Sequence, residues 1–124
     1  MQLQFYYCED CGNLVIMLKN SGVPVVCCGQ KMIELTPGMT EGSKEKHSPV
    51  CRVEGQQVRI SVGAVTHPME EEHFIEWIVL ETKEGVQYTS LKSGDAAEAS
   101  FSLKEGDEVK AVYAYCNLHG LWKA

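Results

Sequence analysis

The alternation of apolar and polar positions predicts short β-strands over most of the chain. Val58, Ile60 and Val62 alternate with polar residues, which is typical of a strand with one face on a core. In residues 74–80, apolar residues occupy odd and even positions alike, as expected for a central strand that is covered on both faces. Pairs such as Glu54-Gly55 separate these runs and indicate turns.

The second part of the chain carries most of this pattern. Six strands are predicted there, at residues 49–53, 57–62, 74–82, 86–91, 97–103 and 108–115. No long helix, internal repeat or low-complexity segment interrupts them. Six or seven short strands at this spacing predict an all-β fold, a sandwich of immunoglobulin type.

The first part of the chain forms a smaller unit. Short strands are predicted at residues 4–7 and 13–18, and residues 31–35 close the unit. A polar joint that contains Pro37 and Gly38 follows. We therefore expect a first domain over residues 1–36 and a second over residues 37–124.

Composition narrows the function classes. The formal net charge is -6, with 11 Lys and Arg against 17 Asp and Glu, which argues against a nucleic-acid partner. An anionic substrate would need a local positive group to offset this field. No apolar run approaches the roughly 20 residues that span a bilayer. The first residues show no basic segment followed by an apolar one, so we expect the cytoplasm.

Four of the six cysteines lie in the first part and predict a metal site. Cys8-x-x-Cys11 is a knuckle followed by Gly12, and Cys27 and Cys28 are adjacent. Four thiolates favour tetrahedral zinc or iron. So short a segment needs a bound metal to stabilise it, because its core is small. The adjacent pair predicts a distorted tetrahedron. The alternatives are a vicinal disulfide or two buried thiols.

All four histidines lie in the second part, in predicted loops or at strand ends. They are His47, His67, His73 and His119, and Cys116 stands three residues before the last of them. A lone loop histidine is usually a solvated residue, but this joint pattern predicts one shared metal. Five donors exceed the four that structural zinc prefers. Iron takes five and keeps a sixth position open, which suits redox chemistry with a small oxygen species.

The motifs together resemble one family from end to end and in order. They are Cys8-x-x-Cys11, Cys27-Cys28, Glu45-Lys46-His47, Thr66-His67-Pro68, Glu72-His73-Phe74 and Cys116-Asn117-Leu118-His119-Gly120-Leu121-Trp122. This set resembles desulfoferrodoxin, the two-iron superoxide reductase. The resemblance implies a desulforedoxin-like first domain with an iron on four cysteines, where zinc is an alternative occupant. It also implies an immunoglobulin-like second domain with iron on four histidines and one cysteine.

The resemblance also implies roles for individual residues and partners. The four histidines correspond to equatorial ligands and Cys116 to the axial ligand. Glu45 matches a glutamate that caps the ferric iron, and Lys46 matches a lysine beside the open position. The implied reaction is one-electron reduction of superoxide to hydrogen peroxide, with electrons from rubredoxin or a similar donor. A homodimer is implied as well.

Two other functions stay open on the sequence alone. One is a colourless zinc protein whose sandwich is an interaction module. The other is an electron carrier whose histidine site has no open position. Cys51 matches no ligand motif, and we interpret it as a core thiol rather than a redox sensor. Tyr115 and Trp122 flank the histidine motif, where they shield the Cys116 sulfur or simply pack.

Overall fold

The computed structural model describes residues 3–38 and 44–124, with the side chains of Lys44 and Glu45 outside that description. Contacts between residues divide the chain into two units, Met1–Thr36 and Pro37–Ala124. Within the described residues, none of the helices has the length and apolar character needed to cross a bilayer.

The first unit is built from five short strands. They are β1 (Gln4–Tyr7), β2 (Leu14–Met17), β3 (Val26–Cys27), β4 (Gln30–Lys31) and β5 (Ile33–Glu34). β1 lies between β2 and β5 in one antiparallel sheet, and β3 pairs with β4 in a separate hairpin. The buried apolar side chains here are Phe5 and Met32, together with Cys8. This core is small, so a bound metal would supply a large share of the unit's stability.

The second unit is a two-sheet sandwich preceded by one helical turn. Its elements are α1 (Lys44–His47), β6 (Pro49–Glu54), β7 (Gln57–Val62), β8 (Ile75–Thr82), β9 (Val86–Ser90), β10 (Glu98–Ser102), β11 (Val109–Cys116) and β12 (Gly120–Lys123). One sheet has the order β10-β7-β6 and the other β12-β11-β8-β9, and all pairs are antiparallel. Seven strands in sheets of three and four form an immunoglobulin-like sandwich, and the all-β prediction is confirmed.

The core lies between these two sheets. Val58, Ile60 and Val62 of β7 are all at most 1% exposed, and their neighbours along the strand are exposed. The predicted period of two is therefore confirmed. β8 lies between β11 and β9, and seven of its eight residues are buried. It is the central strand that its apolar sequence predicted.

The structure differs from the sequence prediction at the C-terminus. The prediction ended the last strand at residue 115 and placed Cys116 and His119 in a C-terminal loop. Instead, Cys116 is the last residue of β11 and pairs with Gly120, the first residue of β12. His119 lies in the tight turn between these strands. The last strand escaped prediction because Gly-Leu-Trp-Lys is too short to show a period.

Candidate metal centres

The four cysteines of the first unit converge. Each sulfur lies within 4.8 Å of the other three. Cys8 and Cys11 come from the turn after β1, which is closed by hydrogen bonds from Gly12 N–H to Cys8 O and from Cys8 N–H to Asn13 O. Gly12 has a φ of 83°, as the knuckle required. The two cysteine motifs, which the sequence predicted to form one metal site, therefore lie together in the fold.

The β3–β4 hairpin explains the adjacent cysteines. Cys27 is the last residue of β3, and Cys28 and Gly29 are the two turn residues before Gln30. Both have positive φ, 54° for Cys28 and 74° for Gly29, which is the signature of a type I′ turn. A cysteine rarely adopts this conformation, because its Cβ crowds the backbone there. The turn directs two consecutive sulfurs to one point without the spacer of a second knuckle.

Sulfur distances in this cluster fit a tetrahedral metal. Metal–sulfur bonds of about 2.3 Å would place the sulfurs about 3.8 Å apart. Cys11 Sγ lies 3.6 Å from Cys27 Sγ, and Cys27 Sγ lies 4.0 Å from Cys28 Sγ. The latter distance is about twice a disulfide bond, and all six cysteines are free, so the vicinal-disulfide alternative is wrong.

The pKa values of these thiols show what a bound metal would have to change. The backbone N–H of Cys11 lowers the pKa of Cys8 to about 7. Hydrogen bonds shared with Cys11 and then Cys8 raise the pKa of Cys28 to about 12. One thiolate therefore forms readily, but the crowded group resists losing all its protons. A bound divalent or trivalent metal would remove that barrier.

In the second unit, four imidazole rings form a rough square. Neighbouring ring centroids lie 4.5 Å apart for His47 and His67, 4.7 Å for His67 and His73, 5.1 Å for His73 and His119, and 4.8 Å for His119 and His47. The His47–His73 diagonal is 6.2 Å. The Cys116 sulfur joins this group, because it and the ligand atoms of the first three histidines all lie within 4.8 Å of one another.

The nitrogen atoms that face the centre can be identified. His47 Nε2 lies 3.1 Å from His119 Nδ1, which is itself 3.7 Å from Cys116 Sγ. His67 Nε2 and His73 Nε2 are buried and have no hydrogen-bond partner among the described residues. Buried imidazole nitrogens without a partner are costly unless a metal binds them. The donor set therefore fits one metal ion with five ligands.

Contacts outside the square orient the rings. His67 Nδ1 lies 2.6 Å from Pro68 O, and a carbonyl only accepts, so Nδ1 carries the proton and Nε2 is left available to bind a metal. Trp122 stacks on His47 with centroids 4.8 Å apart, and its Nε1–H donates to His119 O at 3.1 Å. Trp122 therefore packs against two of the histidines, which agrees with the packing role, one of the two that the sequence left open.

Burial tunes the protonation of these groups. It lowers the pKa of His67 to about 4 and also lowers the pKa of His73, so both rings are neutral at pH 7 and ready to bind metal. Burial raises the pKa of Cys116, while hydrogen bonds from the backbone N–H groups of Leu118 and His119 oppose the shift. A metal would convert this buried thiol to the thiolate.

The structure also describes, to different extents, Lys46, Glu45 and Cys51, which the sequence had singled out. Lys46 is exposed, and its charge contributes to the lowered pKa of His73 after burial and His119. Glu45 lies in α1, but its side chain is outside the described part of the chain. Cys51 is partly buried and packs against the sandwich core, as expected for a core thiol.

One residue of the site was missed by the sequence reasoning. Asn117 lies between Cys116 and Leu118, and its side chain hydrogen-bonds to the backbone on both sides of His73. Its only signal in the sequence is a carboxamide placed between two ligands in a short turn. Such a residue is common in turns for other reasons, so the pattern alone does not single it out.

Family models match almost the whole chain. The model described as Desulfoferrodoxin matches residues 39–124, and that described as Desulfoferrodoxin, N-terminal domain, matches residues 1–35. A desulfoferrodoxin from Nitratidesulfovibrio vulgaris is 48% identical over 124 residues, covering 99% of this chain and 96% of the relative.

Solved structures give the same result for the fold. The superoxide reductase of Treponema pallidum matches with a TM-score of 0.85 and 36% identity, over 100% of this chain and 99% of that chain. The superoxide reductase of Giardia intestinalis, described as 1Fe-SOR, matches with a TM-score of 0.56 and 37% identity. That match covers 65% of this chain and 96% of the Giardia chain.

Proposed function

Since this chain belongs to the desulfoferrodoxin family, we propose that it is a superoxide reductase that converts superoxide to hydrogen peroxide. The observation that carries the proposal is the square of four imidazoles with one thiol beside it. Five donors of this kind suit iron with one open position and exceed what structural zinc takes.

The proposed ligands of the second centre are the residues of this group. They are His47, His67, His73, His119 and Cys116. Ferrous iron held by these residues would supply the one electron that superoxide must gain, and the Cys116 thiolate would donate electron density to it. The protein supplies neutral imidazoles at His67 and His73 and a buried sulfur at Cys116 that a bound metal would deprotonate. Two protons complete the reaction, one superoxide giving one hydrogen peroxide.

Lys46 and Glu45 are proposed to act at the open position. The net charge of -6 repels superoxide, so a local cation is needed to draw it in. Lys46 is exposed, stands next to His47, and acts electrostatically on His73, so its charge reaches the centre. Glu45 stands two residues before His47 in α1, and its proposed role is to cap the oxidised centre when no substrate is bound.

The first centre is proposed to hold a second iron on Cys8, Cys11, Cys27 and Cys28. We infer that this centre contributes differently from the histidine centre. The one-iron superoxide reductase of Giardia intestinalis matches over 96% of its own length but over only 65% of this chain, so a protein of that name is matched without the full length of this chain. We infer that the reduction itself takes place in the second unit. The first centre then relays electrons or stabilises its small unit, and zinc would serve only the latter role.

The donor, assembly and location follow from the same proposal. A small electron-transfer protein of the rubredoxin type re-reduces the histidine centre. A homodimer is supported by apolar side chains that the first unit exposes, with Leu18 78%, Val23 71% and Val26 62% exposed. Two thiol-bearing centres need a reducing compartment, which supports the cytoplasm.

A visible spectrum with iron and zinc analysis tests the proposal. Two irons per chain are expected, with a broad thiolate-to-iron band that grows as the reduced protein consumes superoxide. Peroxide yield separates reduction from dismutation, since a reductase forms one hydrogen peroxide per superoxide and a dismutase half as much. Protein loaded with zinc is the control. Iron-loaded protein that leaves superoxide unchanged would refute the proposal.

A further inference from the structure

The side chain of Asn117 brackets a proposed ligand that lies far from it in sequence. Its Oδ1 accepts a hydrogen bond from Phe74 N–H at 2.9 Å, and its Nδ2 donates to Glu72 O at 2.9 Å. These two groups are the backbone neighbours of His73 on either side. A third bond, from Asn117 N–H to Phe74 O at 3.2 Å, fixes the backbone of the turn itself.

His73 needs such support because it precedes the regular part of β8. β8 begins at Ile75, and the pairing of β11 with β8 is irregular between Tyr115 and Cys116. Ladder hydrogen bonds therefore do not hold His73 directly against the cysteine-bearing strand. Locally, the backbone of His73 bonds to the backbone of Glu70, through bonds of 2.9 and 3.2 Å that close its own turn.

The side chain of Asn117 thus takes the place of strand pairing where pairing stops. A carboxamide has one acceptor and two donors, so it can satisfy an N–H and a C=O at once. With both bonds made, the backbone on each side of His73 is held against the residue that follows Cys116.

We propose that Asn117 is a positioning residue that holds His73 and Cys116 at the spacing a single metal ion requires. This proposal rests on the proposed histidine–cysteine centre and adds a residue to its support. Removing a group that orients a metal ligand typically weakens metal affinity by about 10- to 100-fold. We expect that range for Asn117→Ala, since both bonds are lost together.

Ferrous iron affinity of the second centre, measured by competition with a chelator at pH 7, tests the role. Gln87→Ala is the matched control, because it also removes a side-chain amide that donates to a backbone carbonyl, Ser102 O at 2.8 Å, in the same sandwich. Asn117→Ala should bind iron about 10- to 100-fold more weakly than Gln87→Ala. Its thiolate-to-iron band should also shift, while the four-cysteine centre keeps its metal and its spectrum.

Asn117→Asp tests the two side-chain hydrogen bonds of Asn117 separately. It keeps an acceptor for Phe74 N–H and loses the donor to Glu72 O, so its iron affinity should fall below that of the unaltered protein. Equal iron affinity and an unshifted band in Asn117→Ala and Gln87→Ala would overturn the proposal. Failure of both Asn117 variants to fold would also overturn it, since the role would then be general stability. Neither measurement uses superoxide, so its outcome is separate from that of the proposed function.

Discussion

Replacement of Lys46 tests whether a single surface charge guides superoxide to the histidine centre. Lys46 is exposed and adjacent to His47, and its charge affects His73. Two opposite unit charges that are taken to lie about 8 Å apart attract by about 0.5 kcal/mol in water and by about 2 kcal/mol at an effective dielectric of about 20. Because about 1.4 kcal/mol corresponds to a tenfold change in rate, Lys46→Ile should slow the second-order reaction with superoxide by about 2- to 30-fold.

Lys110→Ile is the matched control. Lys110 is also exposed and lies on β11, six residues before Cys116, which is about 20 Å along a strand. At 0.1 M ionic strength this is about two screening lengths, so its removal should change the rate little. Both variants alter the net charge equally, so a difference between them reports the position of the charge.

Pulse radiolysis at two salt concentrations completes the assay. At 1 M salt the screening length is about 3 Å, so the deficit of Lys46→Ile should largely vanish. Lys46→Arg keeps the charge and should retain most of the rate. Equal slowing by Lys46→Ile and Lys110→Ile would refute the guidance argument. A deficit that persists at 1 M salt would show that Lys46 acts by another route, such as ordering a proton donor.

Three further predictions concern the centres themselves. Cys116→Ser should abolish the thiolate-to-iron band of the second centre and most superoxide reduction, because the proposed sulfur donor of that centre is lost, while the four-cysteine centre keeps its own spectrum; a second-centre band retained in this variant would contradict the ligand assignment. Cys11→Ser should remove the spectrum of the first centre, and loss of superoxide turnover with the rubredoxin-type donor, but not of a single reduction, would identify that centre as a relay. Burial lowers the pKa of His67 from 6.5 to about 4, so between these values the unfolded chain binds more protons than the folded chain. The metal-free protein should therefore lose stability as pH falls from 6.5 towards 4, measured by urea unfolding, and His67→Gln should flatten this dependence; equal slopes would contradict it.

The local features of this protein follow from short stretches of sequence. The period of two at Val58, Ile60 and Val62 predicted the burial of β7, because alternate side chains of a strand face opposite sides. The Cys8-x-x-Cys11-Gly12 knuckle was readable for a similar reason, since its spacing and its glycine specify one turn. The adjacent Cys27 and Cys28 were identified as metal donors, but their hairpin turn was not anticipated, because Cys28 adopts a backbone conformation that its residue type disfavours.

Convergence of the histidine centre depends on contacts between distant segments. His47 and His119 lie 72 residues apart in sequence, yet their nitrogens are 3.1 Å apart. That distance results from how β6, β8 and β11 are placed in the two sheets, and no local pattern encodes it. Asn117 shows the same limit, because its partners Glu72 and Phe74 are adjacent to it only once β8 and β11 have paired. The sequence supplied the chemistry of the donors, whereas the folded sheets set their square arrangement, since a ligand geometry is a relation between strands.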